Sequence, residues 1–347
     1  MRKITPINDF HYFLLKILKK IGVIFLFFTA LIILYIFRDL YSEFGINKNY
    51  RLKYIFHSPA EFSIKRLEHG EKYFNTFIFG SSRSIPLYAC YIKHKIFNND
   101  AKIKPFHFVN YCETLNGIYN KIVYLDKKNI RIKNAFILFD HTYTFTNEDE
   151  NINNDYYLYN KISPWYQIKS HFLSFFYYSG KDLPKNLRIL SGFTNYRDYK
   201  FSDTNTNDLF HNCSEIIKEN KYDTLFFNNS SPVNNEENDL FERKNKKYTL
   251  NQQLSLSEIY KLNKIKSILK KHKSKYVVLF APMYDQCKLN HHDQASINSI
   301  FGKQNIIDFS GKNKITENKK FYSSTAHYYP IVGKIMIDSI VKTKIFN

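Results

Sequence analysis

Two short runs far apart in the chain carry the residue types of nucleophilic catalysis. The first, Gly80-Ser81-Ser82-Arg83-Ser84, follows the apolar run Thr76-Phe77-Ile78-Phe79. The second, Ser323-Ser324-Thr325-Ala326-His327-Tyr328-Tyr329-Pro330, stands just before an apolar helical pattern near the end of the sequence. A serine is a poor nucleophile until a base takes its proton, so a histidine folded beside Ser82 would supply the missing part. Small polar residues between a strand and a helix also leave backbone N–H groups pointing outward, where they can hold a developing oxyanion. Each run has an ordinary structural reading too, as a turn with a helix cap in the first case and as a helix-start residue in the second. Only the pair of them implies chemistry.

The elements around these runs predict how they are positioned. Thr76–Phe79, Phe106–Val109, Ala135–Phe139, Tyr276–Phe280 and Ile306–Ile307 are short apolar runs that end in small or acidic residues. Helical patterns lie between most of them: Leu87, Tyr91 and Ile92; then Ile118, Ile122, Val123 and Leu125; then Ile259, Leu262, Ile265 and Leu269 behind a Ser255-x-x-Glu258 capping box. A closing helix begins near Pro330, with Ile331, Ile335 and Ile340 expected on one face. Strands alternating with helices predict an α/β fold with a parallel sheet covered on both faces, and ligands at the carboxyl ends of its strands. Residues 146–250 break the rhythm with many Asn, Asp and aromatic residues, among them Trp165, Tyr166 and Tyr177. They read either as an inserted cap over the active edge or as a flexible surface insertion. Those aromatics either pack on sugar rings or form core.

Lys plus Arg number 51 against 31 Asp plus Glu, a formal net charge of +20. Such a charge suits an anionic partner, whether nucleic acid, a membrane surface or an acidic polymer. The basic residues are dispersed, without zinc-finger spacing, an RNP-like aromatic pattern or a basic heptad region, so nucleic acid is not the expected partner. Hydrophobic content of 44% predicts a folded chain rather than a disordered basic tail. The four cysteines, Cys90, Cys112, Cys213 and Cys287, are too far apart for a CxxC motif, and their pairing is open.

Ile21 to Phe37 is an uncharged apolar run, and about 17 helical residues reach about 25 Å, close to the hydrocarbon thickness of a bilayer. Its end, Tyr35-Ile36-Phe37-Arg38, is a poor signal-peptidase site, so an uncleaved anchor is the preferred reading over a signal peptide. Arg2, Lys3, Lys16, Lys19 and Lys20 precede it against the single acid Asp9, which places the N-terminus in the cytoplasm and residues 39–347 outside. The resulting divisions are 1–20 cytoplasmic, 21–38 transmembrane, 39–70 juxtamembrane, 71–145 and 251–347 the two halves of the α/β domain, and 146–250 the insertion.

With these residues in view, the chain resembles the SGNH, or GDSL-like, hydrolase superfamily, and within it the membrane-anchored branch that includes alginate-type O-acetyltransfer proteins and the D-alanyl transfer protein of teichoic acid modification. Gly80-Ser81-Ser82 is similar to the family's first block, with Ser82 as the nucleophile. Ser324-Thr325-Ala326-His327 followed by Tyr328-Tyr329-Pro330-Ile331-Val332-Gly333 is similar to the last block, with His327 as general base and then acid. Val278-Leu279-Phe280-Ala281-Pro282 and Ile306-Ile307-Asp308-Phe309-Ser310-Gly311 also look like this branch. The resemblance covers about residues 71–145 and 250–345. It implies a flavodoxin-like three-layer sandwich and serine esterase or O-acyltransferase chemistry, with no metal or organic cofactor required. By the same resemblance the oxyanion donors are Ser82 and Gly117, Arg83 is the substrate contact, the substrate is a cell-envelope polysaccharide or other anionic glycan, and a membrane-bound acyltransferase is a partner.

The chain departs from the family pattern at three points. Ser324 stands where the family has the Asp that orients the histidine, and the second block, around Gly117, matches loosely. In the third block Asp140-His141 replaces the Asn donor, and an ionised Asp140 accepts hydrogen bonds and cannot donate to an oxyanion. Topology offers Asp140 instead as a substitute acid for His327, since both sit at strand ends on one edge. The alternative reading is a catalytically degenerate SGNH-like protein that binds glycan or scaffolds an acyltransferase.

Overall fold

The computed structural model describes residues 6–38, 63–64, 66–67, 73–145, 201–203, 208–209, 243 and 249–346. The chain divides into two units, residues 1–56 with 163–198 and residues 57–162 with 199–347. Most of the expected insertion at 146–250 lies outside the described residues; within it Phe201–Asp203 (β4) and Asp208–Leu209 (β5) form an antiparallel pair.

In the first unit, Pro6–Arg38 is one 33-residue helix, α1, about 50 Å long at 1.5 Å per residue. The apolar stretch runs from His11 to Leu34, long and apolar enough to cross a membrane, and begins ten residues earlier than the expected span at Ile21. Large side chains on it face outward, with Phe25 69% and Leu26 68% exposed. Apolar surface on that scale calls for lipid or a partner rather than water.

The second unit is built on five parallel strands: β1 (Thr76–Gly80), β2 (Pro105–Val109), β3 (Asn134–Phe139), β6 (Lys275–Phe280) and β7 (Ile306–Asp308), in the order β2-β1-β3-β6-β7. All five were legible as apolar runs, and alternation along them shows why both faces are covered. Phe77, Phe79, Ala135, Ile137, Phe139, Val278 and Phe280 enter one core with α3 (Leu115–Lys127), α4 (Leu256–Lys271) and α5 (His291–Phe301). Ile78, Phe136, Leu138, Val277 and Leu279 enter the other with α2 (Ala89–Phe97), the four-residue α6 (Lys314–Glu317) and α7 (Pro330–Thr343). A period of two divides each strand between two apolar layers, so every central strand reads as continuously hydrophobic.

The structure adds three points to the sequence reading. The segment 39–70 is not only a juxtamembrane connection: Ile64 and Leu67 are fully buried in the first core. Between β6 and β7 the chain forms α5, whose apolar periodicity is weak; its signal is the N-cap, where the Asn290 side chain accepts from the Asp293 N–H at 3.0 Å. On α7 the buried face is Val332, Gly333, Met336, Ile337 and Ile340, while Ile331 and Ile335 sit at its margin.

The strand order changes direction between β1 and β3, the point where a doubly wound sheet opens a crevice at its carboxyl edge. Two glycines hold elements against that edge. A Cβ on Gly80 would lie 2.9 Å from Ser84 Cβ and 3.1 Å from Leu138 Cβ, at a φ of +157°. A Cβ on Gly333 would lie 2.0 Å from the Pro86 carbonyl oxygen, so α7 packs directly on the backbone that follows the Ser82 turn. Gly333→Ala therefore lowers stability by about 1–3 kcal/mol, since overpacking against rigid backbone outweighs the gain in helix propensity. Thermal unfolding by circular dichroism reads this; an unchanged or raised Tm would show that α7 does not depend on the close approach.

Candidate functional site

At the carboxyl end of β1 the chain turns through Ser81 into a single 3-10 turn, Ser82–Ser84. Hydrogen bonds hold this turn from beneath: the Ser84 N–H and hydroxyl both donate to the Ser81 carbonyl, at 2.8 and 2.7 Å. The Ser84 hydroxyl also meets His107 Nε2 on β2 at 3.0 Å. Ser82 is thereby pushed outward, half-buried, as the first residue of the turn, where its N–H has no partner within the turn.

His327 arrives from the other end of the chain. Ser323 and Ser324 N–H donate to the His327 carbonyl at 3.0 and 3.3 Å, closing a loop immediately before α7. In this loop His327 Nε2 lies 2.9 Å from Ser82 Oγ, so the structure brings together the two residues on which the sequence argument turned. Both can be reached by solvent. The other ring nitrogen, Nδ1, faces Ser324 Oγ at 3.4 Å. The network assigns the proton to Nδ1, with Ser324 accepting it weakly and Nε2 free to accept from Ser82. Ser324 thus gives the ring an uncharged partner, and its hydroxyl also accepts from Ala326 and His327 N–H at 3.2 and 3.1 Å.

Arg83 differs from expectation. Placed as the substrate contact, it is instead 3% exposed and internal to the scaffold. Its Nε donates to the Ala326 carbonyl at 2.9 Å. Its Nη1 is ion-paired with Asp140 Oδ1 at 3.0 Å without an aligned hydrogen bond, and its guanidinium lies 5.0 Å over the Tyr143 ring. In return, the Tyr328 hydroxyl donates to the Arg83 carbonyl at 2.6 Å. Complete burial pushes the Tyr328 pKa upward and keeps that donor protonated. The residues on either side of His327 are therefore fastened to the residue that follows Ser82.

Asp140 closes the same assembly from β3. It accepts from the Ser81 hydroxyl at 2.6 Å and from the Thr142 and Tyr143 N–H groups at 3.1 and 2.9 Å. His327 is not among its hydrogen-bond partners, so the expected substitute acid reaches the ring only through its field. Partial burial, first, and the Arg83 charge, second, lower the His327 pKa from its ordinary value; Asp140 opposes them without cancelling them. His327 is thus neutral near pH 7, the form a general base needs.

Gly117 is also corrected. It lies inside α3, and its N–H donates at 3.2 Å to Thr114 Oγ1, the helix cap, so it is no oxyanion donor. The residue that reaches the Ser82 turn from β2 is Asn110, whose N–H donates to the Gly80 carbonyl at 3.3 Å. Its side-chain amide is buried without a partner among the described residues. The contacts of Ser81, Asn110 and Tyr328 were missed from sequence; adjacency of Tyr328 to His327 and of Ser81 to Ser82 was the available signal.

Beside this site, His141 Nε2 meets Asp285 Oδ2 at 2.8 Å. Burial pushes the Asp285 carboxyl up, but the His141 hydrogen bond and charge and the Cys287 N–H outweigh it and leave the pKa below its ordinary value. Cys90 is disulfide-bonded, while Cys112 and Cys287 are thiols. No family model matches the chain, and no curated protein matches it either.

Two substitutions separate the fastenings. Arg83→Met leaves the Asp140 carboxylate buried without its cation and costs about 3–5 kcal/mol. Tyr328→Phe removes one hydrogen bond and costs about 1 kcal/mol. Urea unfolding gives both values; equal effects would contradict the ranking of a buried ion pair above a single hydroxyl.

Proposed function

We propose that the α/β unit is a serine acyl-transfer or ester-hydrolysis module of the SGNH type, held at the outer face of a membrane by α1 and acting on O-acyl, chiefly O-acetyl, groups of a cell-envelope polysaccharide. The observation that carries this reading is the 2.9 Å contact between Ser82 Oγ and His327 Nε2 at a solvent-reachable switch point of the sheet. In the first step Ser82 Oγ bonds to the ester carbonyl carbon while its proton passes to His327 Nε2. The oxyanion forms against the Ser82 N–H. The bond to the leaving alcohol then breaks, and His327 returns the proton to that alcohol. A sugar hydroxyl or water attacks the acyl-serine in the second step, with His327 again as base, and restores Ser82.

Further observations support the setting. Arg2, Lys3, Lys16, Lys19 and Lys20, ahead of the uncharged run Ile21–Phe37 of α1, favour a cytoplasmic N-terminus, and the Cys90 disulfide suits an oxidising compartment. The net charge of +20 suits an anionic glycan, with a membrane-bound acyltransferase as donor partner.

One observation favours the second reading, a degenerate member that binds glycan or scaffolds such a partner. The uncharged Ser324 at His327 Nδ1 cannot stabilise the imidazolium, and losing that charge costs a protease triad about 10⁴ in rate. The two readings part on turnover. The first predicts that the full-length chain in detergent, incubated with p-nitrophenyl acetate, carries an acetyl adduct on the peptide containing Ser82, absent from Ser82→Ala. A folded chain that never acylates selects the scaffold.

The electrostatics add a pH prediction. A lowered His327 pKa keeps the base neutral into mildly acidic solution, so the acid limb of acylation falls below the ordinary imidazole value of about 6.5. Ser324→Asp places a carboxylate at Nδ1, moves that limb upward and speeds acylation. A limb already above 6.5 in the wild type would contradict the assignment of His327 as the base.

A further inference from the structure

Among the described residues, His141, Asp285 and Cys287 converge with one ligand atom from each, the three atoms lying within 4.8 Å of one another. The Ser82 and His327 chemistry does not use them. They come from two adjacent strand ends, His141 from the loop after β3 and the other two from the loop after β6.

Both loops are fixed independently of any ligand. Asp140 accepts N–H bonds from Thr142 and Tyr143, which sets the turn that presents His141. In the second loop the Gln286 N–H donates to the Met283 carbonyl at 3.1 Å, and the Gly311 N–H to the Cys287 carbonyl at 3.2 Å. Gln286 itself has a φ of +60°, and this left-handed residue sets Asp285 and Cys287 on either side of it. The Cys287 N–H donates to Asp285 Oδ1 at 3.0 Å. The His141 side chain is 10% exposed and that of Asp285 41%, while Cys287 is 5% exposed, so the cluster has a sheltered floor and one side open to solvent.

We propose that His141, Asp285 and Cys287 form a transition-metal site for Zn²⁺ or an ion of similar preference, with a fourth position open to water. One imidazole nitrogen, one carboxylate and one thiolate are the donor types Zn²⁺ takes, and three protein ligands with an open position is the usual arrangement where the ion stays accessible. Ca²⁺ and Mg²⁺ prefer oxygen donors alone and do not suit the thiol. Binding displaces the hydrogen bond between His141 and Asp285 and converts the Cys287 thiol to thiolate, releasing its proton to solvent. The two anionic ligands then balance the dication.

Co²⁺ titration of the full-length chain in detergent, after treatment with a chelator and its removal, tests the site. The expected result is one Co²⁺ per chain, a thiolate-to-cobalt charge-transfer band, the strong visible bands of a four-coordinate ion, and loss of both on adding Zn²⁺. Cys287→Ser removes the charge-transfer band, and His141→Ala weakens binding by at least about tenfold, the lower end of what even an outer-shell loss costs. Cys112→Ser leaves the spectrum unchanged. Wild-type chain with an intact far-ultraviolet circular dichroism spectrum and no charge-transfer band overturns the proposal. So does a band that survives both Cys287→Ser and His141→Ala, which would place the metal elsewhere.

Discussion

Arg83 is the constraint on which the rest of the site depends. A buried guanidinium is tolerable only where its charge and donors are matched, and here Asp140 supplies the charge and the Ala326 carbonyl an acceptor. Because Arg83 directly follows Ser82 and Ala326 directly precedes His327, matching this one side chain also sets Ser82 and His327 in register. The Tyr328 hydroxyl repeats the fastening in the opposite direction, through the Arg83 carbonyl. Residues separated by 245 positions are thus held at 2.9 Å by the contacts of their chain neighbours.

The sheet explains why such a clamp is needed. β1 and β3 end side by side at the switch point, so strand pairing brings the Ser82 turn and Asp140 to one edge. His327 belongs to no strand; it hangs on a loop before α7, and that helix is positioned by packing Gly333 against Pro86. Loops carry catalytic groups well when a rigid scaffold fixes their ends. Here α7 fixes one end of the loop, and the polar fastening fixes the histidine within it.

Most of the fold was legible in the sequence because fully buried strands leave runs with no polar interruption, as in Phe77-Ile78-Phe79 and Val277-Val278-Leu279. Helix α4 announced itself by its capping box. Helix α5 did not, since His291, His292, Asp293 and Gln294 give it a polar first turn and Ile297 and Phe301 are its buried apolar residues. The pair Ser82 and His327 was legible as residue types, and it was the need of a serine for a base, not spacing, that joined them. Arg83 was misplaced for a physical reason: an arginine beside a nucleophile reads as a substrate contact until its burial and its partner on β3 are seen. Gly117 was misplaced because a helix cap took the donor that looked available.

On the reading proposed above, catalysis rests on the neutral Ser324 hydroxyl at His327 Nδ1, with the Asp140 charge acting only at range. That arrangement supplies orientation and the correct tautomer but little stabilisation of the imidazolium, so a slow, activated serine is the consequence to test. Labelling of the full-length chain with a serine-reactive fluorophosphonate tests it most directly. The account predicts labelling of the wild type that disappears in both Ser82→Ala and His327→Ala. A folded wild type that does not react, or labelling that persists in Ser82→Ala, would contradict it.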